Sequence, residues 1–529
     1  MEYDDTLDEL TEATKEDSPA FESILFAKPE DDINQKRAET PDFFRDLNLD
    51  QIVDGVTVGK VGYDLKPFFY TPLGDINAIA YRHEVFHDLE TAGLLESVRS
   101  FAARMVEMHE HLTTAGKVYY EYQKRRYFLD AVGTYCEAVV SFAQELLPVS
   151  LGSRGFTSFR SYLQRYVDSE PFRSLLAEVK KLNTDLSAIT YTVNVRLGGF
   201  TVRRYEDQVD YTAEVEETFK KFKQGAVKNY KVDFENRLQM NHIEAKILEF
   251  VVRLYPEIFT YLNEFCDRHA TYLDKTIERF DREIQFYIAY LEYCEPIERT
   301  GLKFCYPEIS NQSKEVYNSE GFDLALAHQL AINSTRTVCN DFYLKDPERI
   351  FVVSGPNQGG KTTFARALGQ THYLASIGCL VPGKESRVFL FDKILTHFER
   401  QEKMANLQGK LQDDVKRIHE ILEAATANSL IIMNEIFTST TLRDALFLSK
   451  KVIEKIIQRD AVCVWVTFVD ELASFSHHVV SLVSMVDPED PTIRTFKVLR
   501  RPAAGLSYAL SLAEKHELTF EQLKARIKP

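Results

Sequence analysis

The run Gly355-Pro356-Asn357-Gln358-Gly359-Gly360-Lys361-Thr362 constrains this chain more than any other feature. It fits the G-x-x-x-x-G-K-[ST] phosphate loop, and its context fits too. The apolar residues 350–353 enter it as a strand, and a helical segment leaves it from Thr362. Glycines let backbone N–H groups turn inward as an anion nest at a helix N-terminus, where the dipole favours phosphate. The spacing places Lys361 at the β/γ-phosphates and the Thr362 hydroxyl on Mg²⁺. Gly355, Pro356, Asn357, Gln358, Gly359, Gly360, Lys361, Thr362 and Thr363 are therefore the expected nucleotide-binding residues.

A second element belongs with it. The apolar run 429–433 ends in Asn434-Glu435. A strand ending in an acid or amide is where a nucleotide hydrolase sets its Mg²⁺ partner and its water-orienting group. Glu435, with Lys361, is the expected catalytic residue, and Thr362 and Asn434 are the expected metal-side residues. An amide brings no negative charge, so a metal is held more weakly there.

The surrounding texture is consistent with an α/β domain over 301–529. Short β-branched runs at 349–354, 430–433 and 461–467 alternate with helical segments, as in a parallel sheet covered by helices. Residues 43–300 read differently. Helical spacing dominates 76–89, with Asp75 as N-cap, then 85–147, then 157–182 after the break at 148–155. Residues 189–205, rich in Val, Thr, Tyr and Phe around Gly198-Gly199, predict a β-hairpin. Helices resume near Thr212 and continue to Cys294 with one interruption at Pro256. Residues 1–42 are polar and acidic with three prolines, and predict a flexible tail or short helices.

Charge is distributed unevenly. The net charge is −16, yet residues 1–50 hold 16 acids against 5 bases, so the remaining chain is close to neutral. That body lacks the basic excess that commonly marks nucleic-acid binders, although local patches exist. Lys220, Lys221, Lys223, Lys228 and Lys231 fall close together with Phe222 and Tyr230, and Lys124-Arg125-Arg126 and Arg203-Arg204 form smaller clusters. Each reads either as a phosphate grip or as a solvated helix face. No apolar run reaches the ~18 residues of a membrane helix. Seven scattered cysteines, none at C-x-x-C spacing, predict reduced thiols in a soluble, cytoplasmic protein with no zinc framework.

These motifs resemble those of the MutS family of mismatch-repair ATPases. Residues 355–362 are similar to the family's GPNMGGKST, and Ile377-Gly378-Cys379-Leu380-Val381-Pro382 to its IG-x-x-VPA segment. Asn434-Glu435-Ile436 stands at the family's DEI, with Thr440-Thr441 and Asp444 in the following loop. Thr467 and Glu471-Leu472 fall on TH…EL, and 503–508 resembles GAA-x-x-SYG. Upstream, 71–75 with Arg82 resembles the start of the family's helical core. The resemblance implies a mainly α-helical lever and clamp region (43–300, with a clamp-like insertion at about 185–235). An ABC-type α/β P-loop NTPase domain ending in a helical dimerisation segment would follow. It also implies ATP and Mg²⁺ as cofactors, a homodimer with composite ATP sites, and double-stranded or branched DNA as partner, with no membrane. Val338-Cys339-Asn340-Asp341 lies where the family packs against adenine.

Three positions depart from the family pattern. Asn434 replaces its Walker B aspartate, Phe468 its switch histidine, and Gly409 the serine that reaches ATP across the dimer, with Asp414 on the following acid. Only the acidic stretch precedes the lever region, so the family's mismatch-reading domain is not expected. Slow turnover follows, with bound ATP acting as a long-lived switch. A competing reading is a nucleotide-gated scaffold that binds protein partners and no DNA. A third, an SMC- or transporter-like ATPase, lacks the expected heptad array or transmembrane segment.

Overall fold

A computed structural model describes residues 21–28, 39–206, 217, 240–399, 409–490, 493–503 and 516–526. The cluster from Lys220 to Lys231, the helix start near Thr212, residues 504–508 and most of the acidic stretch lie outside the described residues. The chain divides into two compact units. One holds Phe21 and the described residues of 89–151 and 156–281. The other holds 22–88, 152–155 and 282–529. This grouping differs from a simple division at residue 300, because residues 22–88 fold with the C-terminal unit.

The first unit is helical. Leu94–Lys117 and Glu121–Leu146 are joined by a three-residue link, so they run antiparallel, and Arg104 Nη1 spans them to Ser141 Oγ at 2.7 Å. Its core is aromatic: Phe159 stacks on Phe280 at 3.6 Å between centroids, and Phe101 on Phe142 at 4.8 Å. The expected single stretch over 157–182 is two helices, Arg154–Asp168 and Glu170–Ser187. Ser169 caps the second, and Pro171 in its first turn removes an N–H that would have no partner there. Pro256 likewise begins a helix, Pro256–Arg268. The hairpin pairs Tyr191–Arg196 with Gly199–Arg204, and Arg196 faces Gly199. Its turn is therefore Leu197-Gly198, with only Gly198 taking positive φ (91°).

In the second unit, residues 22–28 are neither the flexible tail nor the short helix expected within 1–42. Ile24, Leu25 and Phe26 are buried. Ser23 Oγ and the Ile24 N–H both donate to the buried Glu283 carboxylate at 2.7 and 2.9 Å, and Tyr81 and Tyr287 donate to the carbonyls of Ser23 and Ile24. Three clustered apolar residues were too short a signal to stand out in an acidic segment. Arg82, fully buried, donates to Leu25 O and Ile377 O, and its guanidinium lies over the rings of Phe26 and Phe286.

The unit's principal sheet has six strands: β1 (Ile350–Ser354), β2 (Lys393–His397), β3 (Ser429–Asn434), β4 (Val462–Val466), β5 (Val479–Val486) and β6 (Arg494–Arg500). Their order is β2-β3-β4-β1-β5-β6, parallel except for β6. β1, β3 and β4 are buried along their whole length, the continuous apolar pattern of a sheet covered on both faces. Helices α1 (Lys361–Ser376), α2 (Lys410–Ala424) and α3 (Leu442–Arg459) follow β1, β2 and β3. The parallel order sets the carboxyl ends of β1, β3 and β4 on one edge, where ligands bind in open α/β sheets.

Helix α1 ends in a left-handed glycine. Gly378 (φ 70°) lets Cys379 N–H reach back to Leu374 O at 3.0 Å. A Cβ there would sit 2.9 Å from two Arg82 side-chain carbons. The Ile377-Gly378 pair thus joins a helix stop to the buried arginine. Gly378→Ala should cost about 2 kcal/mol, from left-handed strain plus the contact with Arg82. A lowered urea midpoint for this unit checks it, and an unchanged midpoint would contradict it.

Candidate nucleotide-binding site

The turn leaving β1 is built by close approach to its neighbour strand. Gly355 has φ 116°, and a Cβ on it would meet Ser484 O at 2.8 Å. A Cβ on Gly359 would fall 2.2 Å from Ser484 Oγ, which donates to Gly359 O at 2.6 Å. Gln358 (φ 60°) and Gly360 (φ 92°) are also left-handed, an unusual state for glutamine. Such turns aim successive N–H groups at one point.

Lys361 is the first residue of α1 and is 5% exposed. Its Nζ donates to Gly355 O (3.0 Å), Pro356 O (3.1 Å) and Asn357 Oδ1 (3.3 Å), with Glu435 Oε1 at 3.8 Å. Burial holds its ammonium below the usual lysine range. Glu435 opposes that shift and Arg494 adds to it. The next residue, Thr362, donates Oγ1 to Asn434 Oδ1 at 2.9 Å. Glu435 stands just beyond β3 in left-handed backbone (φ 52°), tied by its N–H to Val466 O at 2.9 Å. The structure therefore gathers Lys361, Thr362, Asn434 and Glu435 from two strand ends.

Lys361, Thr362 and Glu435 open on a cavity of about 570 Å³. Gln358, Gly359, Gly360, Lys361, Thr362, Thr363 and Glu435 form its polar side together with Thr335, Arg336 and Thr337, whereas Gly355, Pro356 and Asn357 turn oxygens toward Lys361. Leu330, Val338 and Phe496 contribute its apolar side, and Asn340 also lines it. Of the stretch compared with an adenine wall, Cys339 and Asp341 do not line the cavity: Cys339 is buried and its carbonyl accepts from Lys497. Asp341 accepts from Glu320 N–H.

The remaining sequence candidates fall around this edge. Asp414 on α2 lies 3.3 Å from His397 Nε2 and accepts the Phe437 N–H at 3.4 Å, so it braces the turn after Glu435. Gly409 is the N-cap residue of α2, with no atom near an added Cβ. Phe468 is half exposed, and Thr467 closes the end of β4 through its N–H to Val353 O. Thr441 caps α3 by accepting from Asp444 N–H. In the first unit, the basic cluster Lys124-Arg125-Arg126 is largely neutralised: Arg125 pairs with Asp267 and Arg126 with Asp130.

Ser484, Arg494 and Phe496 escaped the sequence reading. They come from β5 and β6, about 130 residues beyond the loop, and no local motif marks them. The sequence signal is confined to two serines, Ser481 and Ser484, within the apolar run of β5.

Residues 351–525 match the family model described as MutS domain V. The DNA mismatch repair protein MutS of Syntrophomonas wolfei is 26% identical over 282 residues, 52% of this chain and 32% of that protein. The MutS of Halalkalibacterium halodurans is 34% identical over 119 residues, 22% of this chain and 14% of that protein. The DNA mismatch repair protein MSH3 of Yarrowia lipolytica is 30% identical over 220 residues, covering 40% and 22%. Residues 351–525 are thus similar to domain V of the MutS family. The chain's matches span about a third or less of the length of these relatives. The MutS domain V match contains the whole loop, Asn434, Glu435 and the three residues of β5 and β6 just described.

All seven thiols are free, and among the described residues no helix is long and apolar enough to cross a membrane. Folding removes the Lys361 charge from water at a cost, so Lys361→Met should leave the thermal midpoint unchanged or raised. A fall of more than about 3 °C would instead make the ammonium a structural anchor of the loop.

Proposed function

We propose that this chain is an ATP-binding, slowly hydrolysing ATPase of MutS type whose nucleotide state controls closure of a homodimer on DNA. The observation that carries this reading is the convergence of Lys361, Thr362 and Glu435 on one cavity, with Asn434 tied to Thr362 behind it. A buried cation at the positive end of a helix calls for an anion. The residues also fit a metal. Thr362 Oγ1 and Asn434 Oδ1 are oxygen donors 2.9 Å apart, the hard-ligand type that Mg²⁺ takes. Bound Mg²⁺ would neutralise phosphate charge, held by these two oxygens.

The protein's part in hydrolysis is positioning and electrostatics. Loop N–H groups and Lys361 would hold the phosphates, releasing the lysine from its loop oxygens. Glu435 would separate from Lys361 and orient the attacking water. Leu330, Val338 and Phe496 would receive the base. Asn434 weakens metal binding, and Phe468 supplies no hydrogen bond to a terminal phosphate. Gly409 supplies no hydroxyl to a partner's nucleotide. All three favour long-lived bound ATP over rapid turnover.

A second reading, a nucleotide-gated protein scaffold, draws support from the near-neutral body and from the pairing of Arg125 and Arg126 with carboxylates. The two readings separate on DNA binding measured across salt. Clear retardation of duplex or branched DNA that weakens as salt rises supports the clamp, whereas none at low salt supports the scaffold.

Glu435→Gln should reduce ATP hydrolysis by about 10²-fold or more while ATP still binds. Measured against wild type with and without DNA, an undiminished rate would remove Glu435 from the proposed role.

A further inference from the structure

We infer that Arg336 reads the base in this site, and that the site takes a nucleotide with a 6-oxopurine base, guanine, at least as well as one with adenine. The inference rests on the nucleotide reading above and adds a base preference to it. Arg336 lines the cavity between Thr335 and Thr337, on the segment that joins the helix Leu324–Ala331 to the strand Asn340–Leu344.

The place of Arg336 along that segment decides which part of a nucleotide it meets. Burial alternates here: Thr337 and Cys339 are buried, whereas Arg336, Val338 and Asn340 are not. That is the two-residue period of extended chain, which puts the last three on one side. The Asn340 end adjoins the phosphate loop. Asn340 Nδ2 donates to Phe496 O at 3.1 Å, and a Cβ on Gly360 would lie 3.6 Å from that same oxygen. Lys497 Nζ fixes the residue before it, donating to Cys339 O at 2.5 Å. At about 3.3 Å per residue, Arg336 stands about 13 Å along the wall from Asn340 and about 7 Å beyond Val338. Phosphates seated on the loop therefore leave the base within its reach.

The guanidinium has unused donors there. Among the described residues it pairs with no carboxylate, and its partner is the Cys339 thiol, a weak acceptor. Burial pushes that thiol up, while the hydrogen bond from Arg336 and the charges of Arg336 and Lys497 draw it down. The contact to sulfur ties the side chain to the wall and uses one of its five donors.

The chemistry of the two purines then separates them. A guanidinium only donates. Guanine offers it two acceptors side by side, O6 and N7, whereas adenine sets an amino donor beside N7. The other polar side chains at this end do not restore the balance. Threonine hydroxyls serve either base, and Asn340 Oδ1 already accepts Val498 N–H at 2.7 Å. ATP would keep the loop and the contacts with Leu330, Val338 and Phe496; GTP would have those and Arg336 as well.

The test measures dissociation constants of the full chain for ATP, GTP and inosine triphosphate with Mg²⁺, on wild type, Arg336→Ala and Arg336→Lys. Inosine carries O6 and N7 without the 2-amino group of guanine, so it isolates the contact. Wild type should bind GTP and inosine triphosphate at least as tightly as ATP. Arg336→Ala should weaken both by about 10-fold or more and ATP by less than about 3-fold, and Arg336→Lys should keep part of the GTP affinity. Because Arg336 is exposed, the thermal midpoint should not move. An Arg336→Ala protein that loses ATP and GTP equally, or loses neither, overturns the inference. So does wild type that binds ATP well and GTP much less tightly; the nucleotide reading itself then stands. Wild type that binds no nucleotide removes that reading, and this one with it.

Discussion

The ammonium of Lys361 is taken out of water at the start of α1, among main-chain oxygens, with one carboxylate 3.8 Å away. The helix places the positive end of its dipole at the same point. Neither feature helps the chain fold, because burial penalises the charge and the dipole repels it. The surrounding structure nevertheless holds the arrangement. β1 and β5 are hydrogen-bonded neighbours, Ser484 grips Gly359, and the loop's left-handed residues leave no room for a side chain at Gly355 or Gly359. A local conflict maintained by an ordered scaffold is the signature of a functional site.

The sheet explains why that conflict lies beside Asn434 and Glu435. β3 stands two strands from β1 in a parallel arrangement, so both end on the same edge, with β4 between them. Glu435 is anchored to that middle strand through Val466 O, and Asp414 braces the turn that follows. The site is thus shaped by strand order before any side chain is considered. On our proposal, the departures at Asn434, Phe468 and Gly409 leave this frame intact and change only what it can do once loaded. On the same proposal binding would be retained while the groups that hasten hydrolysis are thinned out.

Much of this was legible in the sequence. β1, β3 and β4 announced themselves as short apolar runs, and Gly355 to Thr362 as a turn with a mechanism. The helix Ile76–Leu89 with Asp75 at its start was equally plain. Other features were hidden for physical reasons. The strap at 22–28 is too short and too acidic in context to register as buried, and its partners, Glu283 and Tyr287, are some 260 residues away. Ser484, Arg494 and Phe496 act through tertiary approach, which leaves no local pattern. Prolines 171 and 256 mark helix starts, where a missing N–H is harmless, and only one of these breaks was anticipated, as an interruption of a longer helix.

The central claim is that a nucleoside triphosphate rests on the amides that lead into α1. Amide hydrogen exchange of the full chain, with and without ATP and Mg²⁺, addresses it at residue level. The account predicts slowed exchange concentrated over 358–363, with smaller effects at 338–340 and 494–496. Exchange that is unchanged across the loop at saturating nucleotide, or protection confined to another region, would contradict it.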